Sequence, residues 1–143
     1  MANSREFVKV LNKGDSKEAV IDVNGRTYRH LILPGKEFPK LVLKPWGAEF
    51  WLELNDRYCY KRIYICEGTR TSFQYHEKKL ETNYIIDGEA EVWLENDKGI
   101  VEKMKMGENN FFTVTPPKKH RVIAITDLVL QEVSTPEVDD VIR

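Results

Sequence analysis

Gln74, His76 and Glu81 stand close together in the chain, and their types and spacing suit metal chemistry. Residues two apart on a β-strand face the same side, so Gln74 and His76 can point together. Glu81 follows after a tight connection and can return on the next strand, and His120 can complete the cluster from a distant one. Two neutral imidazoles, one carboxylate and one amide oxygen are a reasonable ligand set for one divalent metal ion. Such a set leaves open positions for water or substrate. Zinc, manganese, iron, cobalt and nickel all accept it, so the residues do not choose among them. The competing reading is a buried polar cluster that satisfies itself by hydrogen bonds. His30, the remaining one of three histidines, has no carboxylate or cysteine partner and reads as an ordinary surface or half-buried residue.

Other residues could act on a ligand beside such a metal. Lys61 and Arg62 are adjacent on a strand-like run, so only one can face inward, where it could bind a phosphate or carboxylate. Lys79 and Lys119 are candidate phosphate contacts, with solvated loop lysines as the plainer reading. Tyr58, Tyr60 and Tyr64 are expected to share a strand face, as core or interface or as the lining of a sugar site. Lys61 and Glu132 are the candidate groups for moving a proton. Trp46, Trp51 and Trp93 read as structural.

The elements that must hold these residues are strands. Ala19 to Val23 and Thr27 to Leu33 are β-rich runs on either side of Asn24-Gly25, a strong hairpin signal. A weak helical turn is expected near Ser4 to Leu11. Pro34-Gly35, Pro39 and Pro45 punctuate the stretch after the second run. Residues 1–40 therefore read as an N-terminal extension with its own hairpin, packed on the remainder or on a partner, since a lone hairpin cannot bury both faces. From residue 41 to residue 143, short strands recur between breaks such as Glu67-Gly68, Asp87-Gly88 and Gly107 to Asn110. That spacing indicates an all-β sandwich or barrel of the jelly-roll kind.

The bulk properties exclude other classes. With 143 residues, 41% hydrophobic and 31% charged, the chain has the size of one folded domain. A net charge of −1 gives no global attraction to nucleic acid or to an anionic membrane. The basic stretch Lys118-Lys119-His120-Arg121 is short. The start lacks a signal-peptide pattern, and no apolar run is long enough for a transmembrane helix. Cys59 and Cys66 should face opposite ways and stay unpaired, which fits a reducing compartment. A cytoplasmic protein with a small-molecule partner, not nucleic acid or membrane, is the expectation. A two-fold homodimer is expected as well.

The spacing from Gly68 through Gln74, His76 and Glu81 to Gly88 resembles the first cupin motif, with Gln74 in the first histidine position. Gly107 and His120 stand as in the second motif, although Pro116-Pro117-Lys118-Lys119-His120 lacks its usual glycine. The resemblance implies a cupin (double-stranded β-helix, jelly-roll) barrel. A narrower likeness rests on Lys44-Pro45-Trp46-Gly47, Lys61-Arg62-Ile63, Ser72-Phe73-Gln74-Tyr75-His76, His120-Arg121 and Asp139-Asp140-Val141-Ile142-Arg143. Together these are similar to the cupin domain of type II mannose-6-phosphate isomerases, a subfamily that itself carries Gln at the first ligand position. It implies a metal-dependent isomerase or epimerase acting on a sugar phosphate or nucleotide sugar. The match departs at Glu77-Lys78-Lys79, where that branch is more basic, and at Asn83, where an aromatic is usual. A neighbouring branch of sugar-handling cupins is therefore the nearer likeness. A non-catalytic sugar-binding or assembly module and a metal-dependent oxygenase are the alternatives.

Overall fold

The computed structural model describes residues 7–143 as twelve strands. They are β1 (Lys9–Lys13), β2 (Ser16–Val23), β3 (Arg26–Ile32), β4 (Lys40–Lys44), β5 (Gly47–Leu54), β6 (Cys59–Ile65), β7 (Glu81–Asp87), β8 (Ala90–Glu95), β9 (Val101–Met106), β10 (Phe111–Val114), β11 (His120–Ala124) and β12 (Leu128–Ser134). They form three sheets, ordered β1-β2-β3, β10-β7-β12-β6-β5-β4 and β11-β8-β9. The architecture is the all-β cupin barrel with its N-terminal hairpin extension. Among the described residues no helix is long and apolar enough to cross a membrane.

Local chemistry accounts for the turns. Asn24 and Gly25 both take positive φ, 50° and 83°, as a two-residue hairpin between right-twisted strands requires. Gly88, at φ 92°, sits in the turn between β7 and β8, where a Cβ would come within 2.1 Å of the Asp127 carbonyl oxygen. No residue with a side chain fits there without displacing the backbone.

The six-stranded sheet is the middle layer, and both of its faces are covered. On one face Ile63, Ile65, Ile85, Val114 and Leu130 meet Val92 and Val122 of the β11-β8-β9 sheet. On the other, Ala48, Phe50, Tyr64 and Val129 meet Ala19, Ile21 and Val23 of the first sheet and Val8 just before it. Each layer shields the apolar side chains that strand alternation sends its way.

Two elements differ from the sequence reading. Phe7 is helical, but Lys9, Val10 and Leu11, expected in the same turn, belong to β1, while Ser4 to Glu6 lie outside the described residues. A turn at Gly14, φ 64°, folds β1 back onto β2 and supplies backbone partners that an isolated helical turn lacks. β4 runs between Pro39 and Pro45, which the reading took as punctuation. It lies at a sheet edge, where flanking prolines interrupt no ladder.

Candidate metal centre

Three of the four residues expected to hold a metal converge. Ligand atoms from His76, Glu81 and His120 lie within 4.8 Å of one another, and all three residues are buried. Glu81 Oε1 is 3.0 Å from His120 Nε2 and 3.7 Å from His76 Nε2. Glu81 opens β7 and His120 opens β11, while His76 lies in the loop before β7. Gln74 pairs its backbone with His120 (N to O, 3.1 and 2.9 Å) and lines the same cavity. Its Oε1 accepts a 2.7 Å hydrogen bond from Ser72 Oγ.

The imidazoles are held from behind. His76 Nδ1–H donates to the Asp140 carbonyl oxygen at 2.5 Å, and His120 Nδ1–H donates to that of Lys118 at 3.1 Å. A carbonyl oxygen can only accept, so a proton sits on each Nδ1 and each Nε2 is the ring nitrogen that faces the cluster. His76 Nε2 is buried and has no hydrogen-bond partner. A self-satisfied polar cluster would not leave that atom bare. The geometry and the donor set fit a borderline divalent ion.

A cavity of about 520 Å³ opens beside the cluster. Cross-strand register builds its floor, for Trp51, Lys61, Glu132 and Asn83 stand opposite one another across β5, β6, β12 and β7. Lys61 Nζ lies 3.5 Å from Glu49, 4.0 Å from Glu132 and 4.1 Å from the Trp51 ring centroid. Lys79 Nζ lies 3.2 Å from Glu81 and 3.7 Å from Glu132. Burial would raise the Glu81 carboxyl, but the neighbouring Glu132, His120 and His76 side chains and the charge of Lys79 hold it well below its usual range. Burial and the charge of Glu81 push Glu132 up. Burial alone would lower Lys79, yet Glu132 and Glu81 raise it above its ordinary value. Burial also pushes both thiols up, Cys66 to about 11, so neither free cysteine is a nucleophile near neutral pH.

Of the other expected site residues, Lys61, Lys79 and Glu132 line the cavity and Arg62, Tyr60 and Lys119 do not. Arg62 has the opposite parity to Lys61 on β6, and its Nη2 donates to Gln131 Oε1 at 2.8 Å on the far face. Tyr60 and Tyr64 share that far face, and Tyr64 is sealed beneath the first sheet. Tyr58 precedes β6 and is exposed, so the three tyrosines do not line a sugar site. Lys119 is exposed, and it is its backbone that is tied down, both N–H and carbonyl, to Glu95. His30 is half-buried, as read from the sequence, stacked on Phe50 and 2.5 Å from the Tyr64 hydroxyl. Its burial and the nearby charge of Arg62 push its pKa down to about 4.

The sequence reading missed several cavity residues. Arg70, Thr71 and Ser72, just before the expected ligand Gln74, line it. Lys44 and Arg143 line it too. Among the described residues Lys44, Arg70 and Arg143 have no carboxylate within ion-pair distance, whereas Lys61 and Lys79 do. Asp140, which lies behind His76, enters the sequence reading only as part of the segment Asp139–Arg143, with no role of its own.

The barrel and its inward-facing cluster define the protein as a cupin. Residues 35–143 match the family described as mannose-6-phosphate isomerase C-terminal, and the chain belongs to that family. Solved structures agree on the fold. KdgF from Halomonas sp. superposes with a TM-score of 0.62 at 18% identity, over 71% of this chain and 91% of that one. An RmlC-like cupin from Shewanella frigidimarina does so with a TM-score of 0.61 at 18% identity, over 73% and 89%. CapF from Staphylococcus aureus, a capsular polysaccharide assembling protein, gives 0.62 at 14% identity, over 77% and 36%. No curated protein matches the chain.

Proposed function

We propose that the chain is a metal-dependent cupin that isomerises or epimerises a sugar phosphate or nucleotide sugar. Gln74, His76, Glu81 and His120 would hold one divalent ion. The observation that carries the reading is the bare, buried Nε2 of His76, aimed at Glu81 beside a cavity large enough for a sugar. Membership of the mannose-6-phosphate isomerase C-terminal family supports the substrate class. So do the unpaired cations Lys44, Arg70 and Arg143, which suit a phosphate.

When bound, the ion would supply Lewis-acid polarisation of substrate oxygens. The chain's own residues do the rest. Lys61 and Glu132 lie side by side on the cavity floor, in reach of a sugar carbon placed before the cluster, and pass the proton between adjacent carbons. Lys79 holds the charges of Glu81 and Glu132 and orients both carboxyls. Trp51 offers an apolar wall for a sugar face. Metal-loaded protein is expected to turn over one member of a panel of hexose phosphates and nucleotide sugars. If none is turned over and none is bound, the reading fails.

A non-catalytic sugar-binding cupin is the second reading. It is favoured by the pairing of both inward lysines with carboxylates, which leaves neither free for a proton. A ligand that raises Tm without being converted selects it. We also expect a two-fold homodimer. β1 is exposed along its length, and its outer edge is unpaired among the described residues, an edge that can take a second strand. A monomeric mass by light scattering at micromolar concentration counts against that.

A further inference from the structure

The segment after β12 makes an unusual set of contacts with the loop that carries His76. Tyr75 and Ile142 exchange both backbone hydrogen bonds, N to O, at 2.9 and 3.0 Å. The Asp140 carboxylate accepts three backbone N–H groups in succession, from Glu77 (3.1 Å), Lys78 (2.7 Å) and Lys79 (3.1 Å). Its own carbonyl oxygen takes the His76 Nδ1 proton. One residue therefore ties down the whole turn after His76 with its side chain and sets the ring with its backbone. The same segment reaches the substrate side, since Val138, Val141 and Arg143 line the cavity.

His120 is the internal comparison. The carbonyl behind it comes from Lys118, two residues away on the same strand approach, so its ring is set locally. The carbonyl behind His76 comes from 64 residues further along the chain, so it is there only while the segment is docked. The docking in turn depends on the Asp140 carboxylate. Removing those three charge-assisted hydrogen bonds leaves three backbone donors of the 77–79 turn to find water and lets the segment lift.

We infer that Asp140 is a positioning residue for His76: by docking the segment Val138–Arg143 it fixes the ring's tautomer and direction, and so the affinity of the cluster for a metal. The inference builds on the metal reading above but is testable without metal. Asp140→Asn keeps one carbonyl acceptor and should fall between wild type and Asp140→Ala. Ile142→Pro deletes the Ile142 N–H and breaks the same docking with Asp140 intact.

The test has two readouts on the full chain. The first is a long-range proton–nitrogen correlation of the imidazoles in chelator-treated protein. Wild-type His76 is expected in a single Nδ1–H tautomer, and Asp140→Ala and Ile142→Pro should mix the tautomers. His120 should be unchanged in every variant. The second is calorimetric titration of the metal-free proteins with Zn²⁺ or Co²⁺ alone. Asp140→Ala should bind about 10- to 100-fold more weakly, the usual cost of losing an outer partner of a metal histidine. An unchanged His76 tautomer in Asp140→Ala overturns the inference. So does an unchanged metal affinity, or a His120 response as large as that of His76, which would mean general loosening. If the wild type takes up no metal while the His76 tautomer still responds, the metal reading falls and the positioning role stands.

Discussion

The two faces of the six-stranded sheet use similar residues for opposite ends. On the inner face Lys61, Glu132 and Glu81 lie buried beside two histidines at the edge of a cavity, and the Nε2 of His76 has no partner. On the outer face a third histidine, His30, is stacked on Phe50 and capped by Tyr64, and Arg62 reaches only to Gln131. The inner face keeps charges packed against one another and a site for a ligand. The outer face spends its polar groups on each other beneath a covering sheet. Residue type does not separate the two. What does is whether the facing layer leaves room, and the first sheet leaves none over Tyr64 and Phe50, both fully buried.

The sharpest break of that comparison is removal of an inner histidine. His76→Ala should lose stoichiometric metal, with affinity down by more than the roughly hundredfold typical of an outer partner. His30→Gln should leave metal content unchanged. Elemental analysis of protein prepared without chelator reads both, and equal metal content in wild type and His76→Ala sinks the assignment. Next is Phe50→Ala on the outer face. It opens a cavity under the first sheet and should cost about 3 to 4 kcal/mol by urea denaturation, with metal affinity retained.

Acid should reach the outer face through His30. Its pKa falls to about 4 in the folded protein, against 6.5 ordinarily, so below pH 6.5 the unfolded chain binds the extra proton first. Stability is therefore complete above pH 6.5 and is lost as pH falls from there to about 4. The loss should be about 2 kcal/mol after allowance for partial exposure. The groups facing His30 are the Tyr64 hydroxyl and the Arg62 charge. His30→Phe should flatten this part of the pH profile, and an unchanged profile in that variant removes His30 as the cause.

The smallest effect separates neighbours on β6. Lys61→Met should weaken ligand binding or turnover about tenfold, as loss of one charged contact in a site does. Arg62→Met should leave it unchanged and cost less than about 1 kcal/mol of stability, the scale of an outer-face polar contact. Equal effects from the two would mean that the faces are not functionally distinct.

Much of this is written in short stretches of chain. Turn chemistry at Asn24-Gly25, the alternation in Cys59–Ile65 and the nearness of Gln74, His76 and Glu81 are local, and strand period and turn preference are local physics. The barrel class followed from them. Tertiary structure decided the rest. Strand parity says that Lys61 and Arg62 face apart, but only the layers packed on β6 decide which one meets the cavity. The sequence left that choice open, and the layers place Tyr60 and Arg62 on the face away from the cavity. His120 reaches Glu81, and Lys61 stands opposite Glu132, through cross-strand register between distant segments. Asp140 holds His76 across 64 residues of chain. Such pairings are set by which apolar faces must be buried together, and no window of sequence contains both partners.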